Sequence, residues 1–249
     1  KRAHTSPDFS LDSLGTINII RDQMDMAIKE SLAPLKKMII FDMDNTILQG
    51  RFVYEAAKEF GFEQDLIKIL ASNPESYLLT KLIARLFKGR DISQILAVAD
   101  KIPLVPDTVE TVRELKKRGY IVGIISDSYD AVANHLKTKI GADFAITNEL
   151  EFSNSVATGE VKVPSYFVRT ENSKCNHGYC KSNVMINVAE KYNIPLGNII
   201  AVGDGENDIC MVRFAGIGIA FCSDSNVLNS IADQRINTKS FNQILDFAS

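Results

Sequence analysis

Three short apolar runs constrain the fold of this chain more than any other feature. They cover residues 38–41, 121–125 and 198–202, and each is of strand length and rich in β-branched residues. None alternates with polar residues, which is typical of strands covered on both faces. Residues 144–147 and 216–221 show the same pattern, so the sequence predicts a buried sheet.

Helical patterns separate these runs. One follows Pro106 and Asp107, the next ends at Gly141, and a third begins near Lys181. Their apolar residues recur at helical spacing: Val109, Val112 and Leu115; Val132, Leu136 and Ile140; Val184, Val188 and Tyr192. Strands that alternate with helices in this way favour an α/β fold with a doubly wound parallel sheet.

Two regions lie outside the alternation. Residues 50–102 are nearly all helical by pattern, which predicts an inserted helical cap over the carboxyl ends of the strands. The core would then comprise residues 38–49 and 103–249. At the N-terminus, residues 1–16 are expected to be poorly ordered and 17–37 to form an amphipathic helix. The sequence leaves open whether this helix packs on the sheet, forms a dimer or continues from an upstream domain.

Composition excludes several function classes. The formal net charge of −3 over 249 residues gives no broad basic field, so nucleic acid is not expected as a partner. No apolar run reaches the ~20 residues that span a bilayer, so no membrane partner is expected either. Four cysteines are too few for a disulfide scaffold, which favours a reducing cytoplasm. The sequence gives no indication of oligomeric state.

Polar side chains recur where the predicted strands end. Asp42 and Asp44 follow the first strand, Ser126 follows the second, and Asp204 lies between two glycines after the third. Lys181 opens the helix that precedes the third strand. An acidic turn with helix-capping aspartates would explain the first pair alone. The recurrence at several strand ends instead predicts one shared cleft.

This set meets the needs of phosphoryl transfer. A carboxylate such as Asp42 can be the nucleophile, and Asp44 is placed to protonate the leaving group. A carboxylate approaching a phosphate is repelled unless positive charge is present. Asp42 and Asp204 can hold Mg²⁺, Lys181 adds a second positive charge, and Ser126 can donate to phosphoryl oxygens.

The same residues resemble the haloacid dehalogenase-like phosphatases. The four motifs of that superfamily match Asp42-x-Asp44-x-Thr46, Ser126, Lys181 and Gly203-Asp204-Gly205-x-Asn207-Asp208, in order. The stretches FDMDNT, ELKKRGYIVGIIS, TGEV and AVGDGENDICM are most similar to the phosphoserine phosphatase branch. The resemblance implies a Rossmann-like core with a helical cap, an aspartyl-phosphate intermediate and a small phosphorylated metabolite as substrate.

The resemblance also implies residue roles. Catalysis falls to Asp42, Asp44 and Lys181. The metal site includes Asp42, Asp44, Asp204 and Asp208. Phosphate binding involves Thr46, Ser126, Asp127, Lys181 and Asn207.

The substrate-selecting positions depart from that branch. Its amine-binding glutamate corresponds to Arg51, which would favour a substrate with an extra carboxylate or phosphate unless it points into solvent. Glu55 lies one helical turn later and could replace the glutamate. Lys81 and Arg85 are candidates for the branch's carboxylate-binding arginine.

Asp127 replaces the glycine usual in that branch. The residues around it are instead similar to phosphoethanolamine/phosphocholine phosphatases, as is the Cys175-x4-Cys180-Lys181 pattern. Asp127 could face a substrate cation, but we favour a role in capping the helix that begins near Ser128.

Cys175, His177 and Cys180 offer three soft ligands in one loop, which suggests a structural Zn²⁺. Free thiols or a disulfide are the alternatives. The sequence shows no clear fourth ligand, although His135 is a candidate. Cys210 and Cys222 are interpreted as small buried apolar residues.

The leading prediction is therefore a phosphomonoesterase that uses Mg²⁺, phosphoserine phosphatase-like in its motifs. A phosphoethanolamine/phosphocholine or sugar-phosphate phosphatase is one alternative. A phosphotransferase and a catalytically idle binding module are two others. The intact aspartates and Lys181 argue against the idle module.

Overall fold

The computed structural model describes residues 11–32 and 35–248. The chain divides into two compact units, Lys1–Leu35 and Lys36–Ser249. The first unit contains the helix α1 (Leu11–Leu32), in which the side chains of Ile20 and Met24 are exposed. The predicted helix of residues 17–37 is thus displaced, because Leu11 already belongs to α1 and Lys37 begins a strand. The expectation that residues 1–16 are poorly ordered is wrong for residues 11–16, which belong to α1, and residues 1–10 lie outside the described residues.

Within the described residues of the second unit, a sheet has seven strands in the order β4-β3-β2-β1-β5-β6-β7. The strands are β1 (Lys37–Phe41), β2 (Tyr120–Tyr129), β3 (Phe144–Ser153), β4 (Val156–Lys162), β5 (Ile199–Gly203), β6 (Ile217–Phe221) and β7 (Gln234–Ile236). Every pair is parallel except β3 with β4. The predicted fold class is confirmed.

The sequence analysis missed two strands of the sheet, the short edge strand β7 and the antiparallel strand β4. Asn154 and Ser155 form the two-residue turn between β3 and β4, with φ of 49° and 67°. Such turns favour Asn-Gly, and the serine in the second position hides the signal. The hairpin extends the sheet beyond the predicted parallel strands.

Helices cover the sheet and fill the segment between β1 and β2. The inserted segment holds α2 (Phe52–Phe60), α3 (Glu63–Ala71), α4 (Ser76–Leu86) and α5 (Ile92–Lys101). The remaining helices are α6 (Thr108–Lys117), α7 (Asp130–Ile140), α8 (Lys181–Tyr192), α9 (Ile209–Phe214), α10 (Asn226–Ile231) and α11 (Ile244–Phe247). Residues 36–249 form a single compact unit, so the division into a core and a cap of residues 50–102 stays a prediction.

Alternate residues of β1 enter different hydrophobic clusters. Ile39 and Phe41 belong to the larger cluster, which also contains residues of α6 and α7. Met38 and Ile40 belong to a second cluster with residues of α8. A central strand buried on both faces matches the unbroken apolar run in the sequence.

Strand β1 also lies at the point where the strand order reverses. Strand β2 pairs with one edge of β1, and β5 pairs with its other edge. In open α/β sheets, ligands bind outside the carboxyl ends of the strands at such a point. The fold therefore places the site beyond Phe41.

In residues 11–32 and 35–248, no helix combines the length and apolar character needed to cross a bilayer.

Candidate active site

A cavity of about 290 Å³ opens at the carboxyl ends of β1, β2 and β5. Asp42, Asp44 and Asp204 line its polar side, with Ser126, Asp127 and Asn207. Residues of the inserted helices line the apolar side: Val53, Tyr54, Leu70, Leu79 and Ile83. The predicted convergence of strand-end residues is therefore present in the structure.

Lys181 joins two aspartates that are distant in the sequence. Its Nζ donates to Asp42 Oδ1 at 2.6 Å and to Asp208 Oδ1 at 2.8 Å. All three side chains are at most 5% exposed. Burial alone would lower the pKa of Lys181, but Asp208 and Asp42 raise it well above the usual value. Lys181 is therefore a fixed positive charge beside Asp42.

Asp208 holds the loop that carries Asp204. Its Oδ2 accepts from the backbone amides of Asp204 and Gly205, both at 3.1 Å. The carboxylate packs so closely on Gly203 that a Cβ there would lie 2.4 Å from Asp208 Cγ. Both oxygens of Asp208 thus have protein partners, which indicates a positioning role.

The carboxylates repel one another in this buried space. Burial and the charges of Asp208 and Asp204 raise the pKa of Asp42 well above its usual value, although Lys181 opposes the rise. Burial and Asp208 likewise raise the pKa of Asp204. Lys181 and Arg51 oppose the rise in the pKa of Asp204 without cancelling it, which indicates that further positive charge would stabilise the site.

The donor set fits a magnesium ion. One oxygen from each of Asp42, Asp204 and Asp208 can be chosen so that all three lie within 4.8 Å of one another. Carboxylate oxygens are the hard ligands that Mg²⁺ prefers. An ion held there would offset the repulsion that raises the pKa of Asp42.

Asp44 is held at the start of α2. Its Oδ1 accepts the backbone amide of Phe52 at 2.7 Å, so the side chain is fixed at the cavity wall. Burial is the main cause that raises the pKa of Asp44 to about 6, against lowering by that hydrogen bond. A carboxyl group with this pKa can both donate and accept a proton near neutral pH.

Asp127 faces the cavity and does not cap a helix. Its carboxylate accepts from Asn207 Nδ2 at 2.9 Å and from Tyr179 Oη at 3.2 Å. The interpretation as a capping residue is wrong because β2 continues to Tyr129, beyond Ser128. Tyr179 lines the same cavity, and nothing in the sequence pattern pointed to it.

Thr46 and Ser126 have different surroundings. Thr46 is fully buried and donates from Oγ1 to Asp204 Oδ1 at 3.3 Å. It is absent from the described cavity lining, so its placement supports a role in orienting Asp204 rather than the predicted phosphate contact. Ser126 does line the cavity, and its Oγ accepts the amide of Ser128 at 3.2 Å.

Of the four specificity candidates, Arg51 alone belongs to the cavity lining among the described residues. Glu55 does not replace the missing glutamate there, because its carboxylate pairs with Lys58 at 2.7 Å. The ammonium group of Lys81 lies 4.4 Å from the ring centre of Tyr77, which is not a lining residue. The exposed Arg85 is likewise absent from the lining.

The cysteine loop acquires a fourth neighbour in the fold. Ligand atoms of Cys175, His177, Cys180 and Cys210 all lie within 4.8 Å of one another. Cys210 was interpreted as a plain apolar residue; it is buried, but it belongs to this cluster. His135 does not, since its Nε2 lies 3.0 Å from Asp100 Oδ1.

The fold and these strand-end residues define a family. Residues 36–216 match the family model described as haloacid dehalogenase-like hydrolase. The chain therefore belongs to the haloacid dehalogenase-like hydrolases, as the motifs predicted.

Within that family, the chain is most informatively compared with phosphoserine phosphatases. It is 33% identical to that of Methanocaldococcus jannaschii over 217 residues, which are 85% of this chain and 97% of that protein. It is 32% identical to that of Archaeoglobus fulgidus over 206 residues, which are 81% of this chain and 57% of that protein. The chain thus spans nearly the whole of one relative and little more than half of the other.

Solved structures show the same similarity. A phosphoserine phosphatase described as a phospho-aspartyl intermediate analogue has a TM-score of 0.72 and 31% identity. The match covers 86% of this chain and 99% of that chain. A hydrolase of the HAD family from Salmonella enterica shares the fold with a TM-score of 0.74 at 24% identity. The match covers 96% of this chain and 80% of that chain.

Proposed function

We propose that this protein hydrolyses small phosphate monoesters in a Mg²⁺-dependent reaction, with Asp42 as the nucleophile. The bridge from Lys181 to Asp42 and Asp208 is the observation that carries the proposal. It keeps a cation beside a buried carboxylate that lines a cavity of metabolite size. The family relationship supports the same chemistry.

Asp42, Asp204 and the backbone carbonyl of Asp44 would hold the ion, with Asp208 in support. When bound, Mg²⁺ neutralises charge on the phosphoryl oxygens and so lets a carboxylate approach them. Asp208 and Thr46 orient Asp204 for this role through the hydrogen bonds described above.

The protein groups then carry two displacements at phosphorus. A carboxylate oxygen of Asp42 attacks, the bond to the leaving oxygen breaks, and Asp44 gives its proton to that oxygen. Asp44, now ionised, takes a proton from water as the water attacks the aspartyl phosphate. The bond between Asp42 and phosphorus breaks, which releases phosphate and restores both carboxyl groups.

The hydrogen-bond donors near the cavity suit a phosphoryl group. The Ser126 hydroxyl and the Asn207 amide can donate to its oxygens, and Lys181 places a positive charge next to the Asp42 carboxylate. The Asp127 carboxylate holds the Asn207 amide in place. This arrangement assigns Asp127 a positioning role toward the phosphate subsite.

Turnover of p-nitrophenyl phosphate tests the proposal. We expect magnesium-dependent hydrolysis that falls below about 1% of wild type in Asp42→Asn. Asp100→Asn is the matched control, since that carboxylate pairs with His135 and Lys139 at the surface. A labelled phosphoenzyme trapped by acid quench should appear in wild type and be absent from Asp42→Asn.

Two results of this experiment would oppose the proposal. Activity retained in Asp42→Asn would exclude nucleophilic catalysis by this residue. A wild-type protein without phosphatase activity would favour the idle binding module, and transfer of the phosphoryl group to an acceptor other than water would favour a phosphotransferase.

Phosphoserine is the first substrate to test, because the relatives are phosphoserine phosphatases. Arg51 favours a second candidate, a phosphomonoester whose leaving group carries an anionic substituent and no ammonium group. Among the described residues that line the cavity, none is a glutamate that could receive an ammonium group. Arg51 is the basic residue of that lining. Its guanidinium also lies 5.9 Å from the ring centre of Tyr54 on the apolar wall.

A substrate panel distinguishes the two candidates. It should contain phosphoserine, phosphoethanolamine, phosphocholine, a phosphoglycerate and a sugar phosphate. If Arg51 selects an anion, Arg51→Glu should shift the kcat/KM ratio of phosphoethanolamine to phosphoglycerate upward by tenfold or more, about 1.4 kcal/mol. Arg85→Glu makes the same charge change outside the cavity lining and should leave the ratio unchanged. Equal ratios in both variants would dismiss the role of Arg51.

A further inference from the structure

A second cluster of side chains lies next to the catalytic residues and takes no part in the reaction described. Cys175, His177 and Cys180 belong to the loop between β4 and α8, and Cys210 belongs to α9. Their four ligand atoms lie within 4.8 Å of one another. Cys180 and Cys210 are buried, whereas the side chain of His177 is exposed.

The distance between Cys210 and His177 fits a tetrahedral ion. Zinc is bound by sulfur at about 2.3 Å and by nitrogen at about 2.0 Å, which places a sulfur and a nitrogen ligand about 3.5 Å apart. The Sγ of Cys210 lies 3.4 Å from Nδ1 of His177. Three thiols and one imidazole form one of the common structural zinc ligand sets.

The loop is already shaped to present its ligands. The amide of Cys180 donates to the carbonyl of Phe167 at 2.9 Å, and the amide of Arg169 donates to the carbonyl of Gly178 at 3.0 Å. The rings of Phe167 and Tyr179 stack with centroids 4.7 Å apart. These contacts fix the loop without any contribution from the cysteine side chains.

A buried hydroxyl independently points to sulfur ligands. Ser182 is fully buried, and its Oγ lies 3.1 Å from Sγ of Cys180 and 3.7 Å from Sγ of Cys175. Hydroxyl donors of this kind stabilise metal-bound thiolates. A disulfide between these two cysteines would leave His177 and Cys210 with no role in the cluster.

We propose that Cys175, His177, Cys180 and Cys210 bind a structural zinc ion. The site is closed, because all four ligands come from the protein and leave no position for a substrate or water. It differs from the magnesium site in ligand type, with sulfur and nitrogen in place of oxygen.

The position of this site gives it a function. Cys180 directly precedes Lys181, and Cys210 lies two residues after Asp208. Lys181 and Asp208 are themselves hydrogen-bonded at 2.8 Å. A zinc ion would therefore tie the first residue of α8 to α9 and hold this pair in register; the four ligands act as positioning residues.

Metal content and a cobalt spectrum test the site directly. Protein purified under reducing conditions without chelator should contain about one zinc per chain. Protein reconstituted with Co²⁺ should show thiolate-to-metal charge transfer and the intense visible bands of tetrahedral cobalt. An ion on the aspartates gives no thiolate band, so the spectrum separates the two sites.

Single variants then identify the ligands. Cys210→Ser should lower the zinc content well below half per chain and remove part of the charge-transfer band. Cys222→Ala is the matched control, because Cys222 lies outside the cluster, and it should keep its zinc. Asp42→Asn should keep it too, so the result does not depend on whether the chain hydrolyses phosphate esters.

Three outcomes would overturn the site. The first is wild-type zinc well below half per chain together with a cobalt spectrum that lacks thiolate bands. The second is full zinc content in Cys210→Ser. The third is a Cys175–Cys180 disulfide found by mass spectrometry in protein purified under reducing conditions. The wild-type measurements hold even if a variant fails to fold.

Discussion

Replacement of Lys181 by methionine tests the electrostatic account of the site most directly. The lysine is 1% exposed, and its ammonium group makes short hydrogen bonds to Asp42 and Asp208. Methionine fills similar space but carries no charge or donor. Lys181→Met therefore leaves two buried carboxylates without their shared partner.

The expected cost follows from that burial. Removal of one partner from a buried ion pair typically destabilises a protein by about 3–5 kcal/mol, because the remaining charge is uncompensated. Lys181 serves two carboxylates that already repel each other, so we expect the upper part of this range. Neutralising one of them should recover part of the loss, so Lys181→Met/Asp208→Asn should be more stable than the sum of the single changes by about 1–3 kcal/mol.

Urea unfolding with excess chelator measures these free energies without any bound metal ion. Lys162→Met is the matched control, since its ion pair with Glu149 is solvent-exposed at 74% and 47% of the two side chains. That change should cost no more than about 0.5 kcal/mol. The reasoning fails if Lys181→Met unfolds at the same urea concentration as the control, or if the double variant shows simple additivity.

Three further predictions concern other positions. Gly203→Ala should destabilise the protein by about 1–3 kcal/mol and lower activity, because its Cβ would overlap the Asp208 side chain. Gly197→Ala is the control and should do neither, since no atom lies within 4 Å of its added Cβ. Equal urea midpoints for the two variants would contradict this prediction. In single-turnover measurements of the first displacement, Asp44→Asn should slow release of an alkyl alcohol by about 10²–10⁴-fold but release of p-nitrophenolate far less, since the latter needs no proton; equal losses in this step would disprove a general-acid role. Burial raises the pKa of the Tyr129 hydroxyl above that of a tyrosine in the unfolded chain, which is about 10. Above about pH 10 the unfolded state therefore binds fewer protons than the folded state, and the free energy of unfolding falls as the pH rises. Tyr129→Phe should flatten this alkaline decline in urea midpoints, and an unchanged slope would refute it.

Local patterns predicted those parts of the fold whose signals are contained in short segments. The apolar runs located the starts of β1, β2, β3, β5 and β6 to within a residue or so, because a strand covered on both faces excludes polar side chains, whereas the three-residue strand β7 carries no such run. Asp42, Asp44, Ser126 and Asp204 could be placed together because parallel strands end at one edge of the sheet. Lys181 followed from its position at the start of a helix between two such strands.

Other features depend on contacts that no short segment contains. Cys210 joins the loop cysteines through the packing of α8 against α9. Its neighbours in the sequence show an apolar pattern that is typical of a core helix and gives no indication of this cluster. The capping role of Asp127 failed because β2 runs on for several residues past the last apolar position, Ile125. Glu55 was placed by helical spacing, which does not reveal that Lys58 on the same helix takes its carboxylate.

The β3–β4 hairpin joins the inserted helices to the sheet through backbone hydrogen bonds, in addition to the two chain connections. Gly89 and Ile92 donate their amides to the carbonyls of Ala157 and Ser155, and Ala157 donates to Arg90, each at 2.8 Å. Rotating the whole insert away from the cavity would break all three bonds, at roughly 1 kcal/mol each. We therefore expect the loop that follows α4 to stay in place against the hairpin while substrate and product exchange.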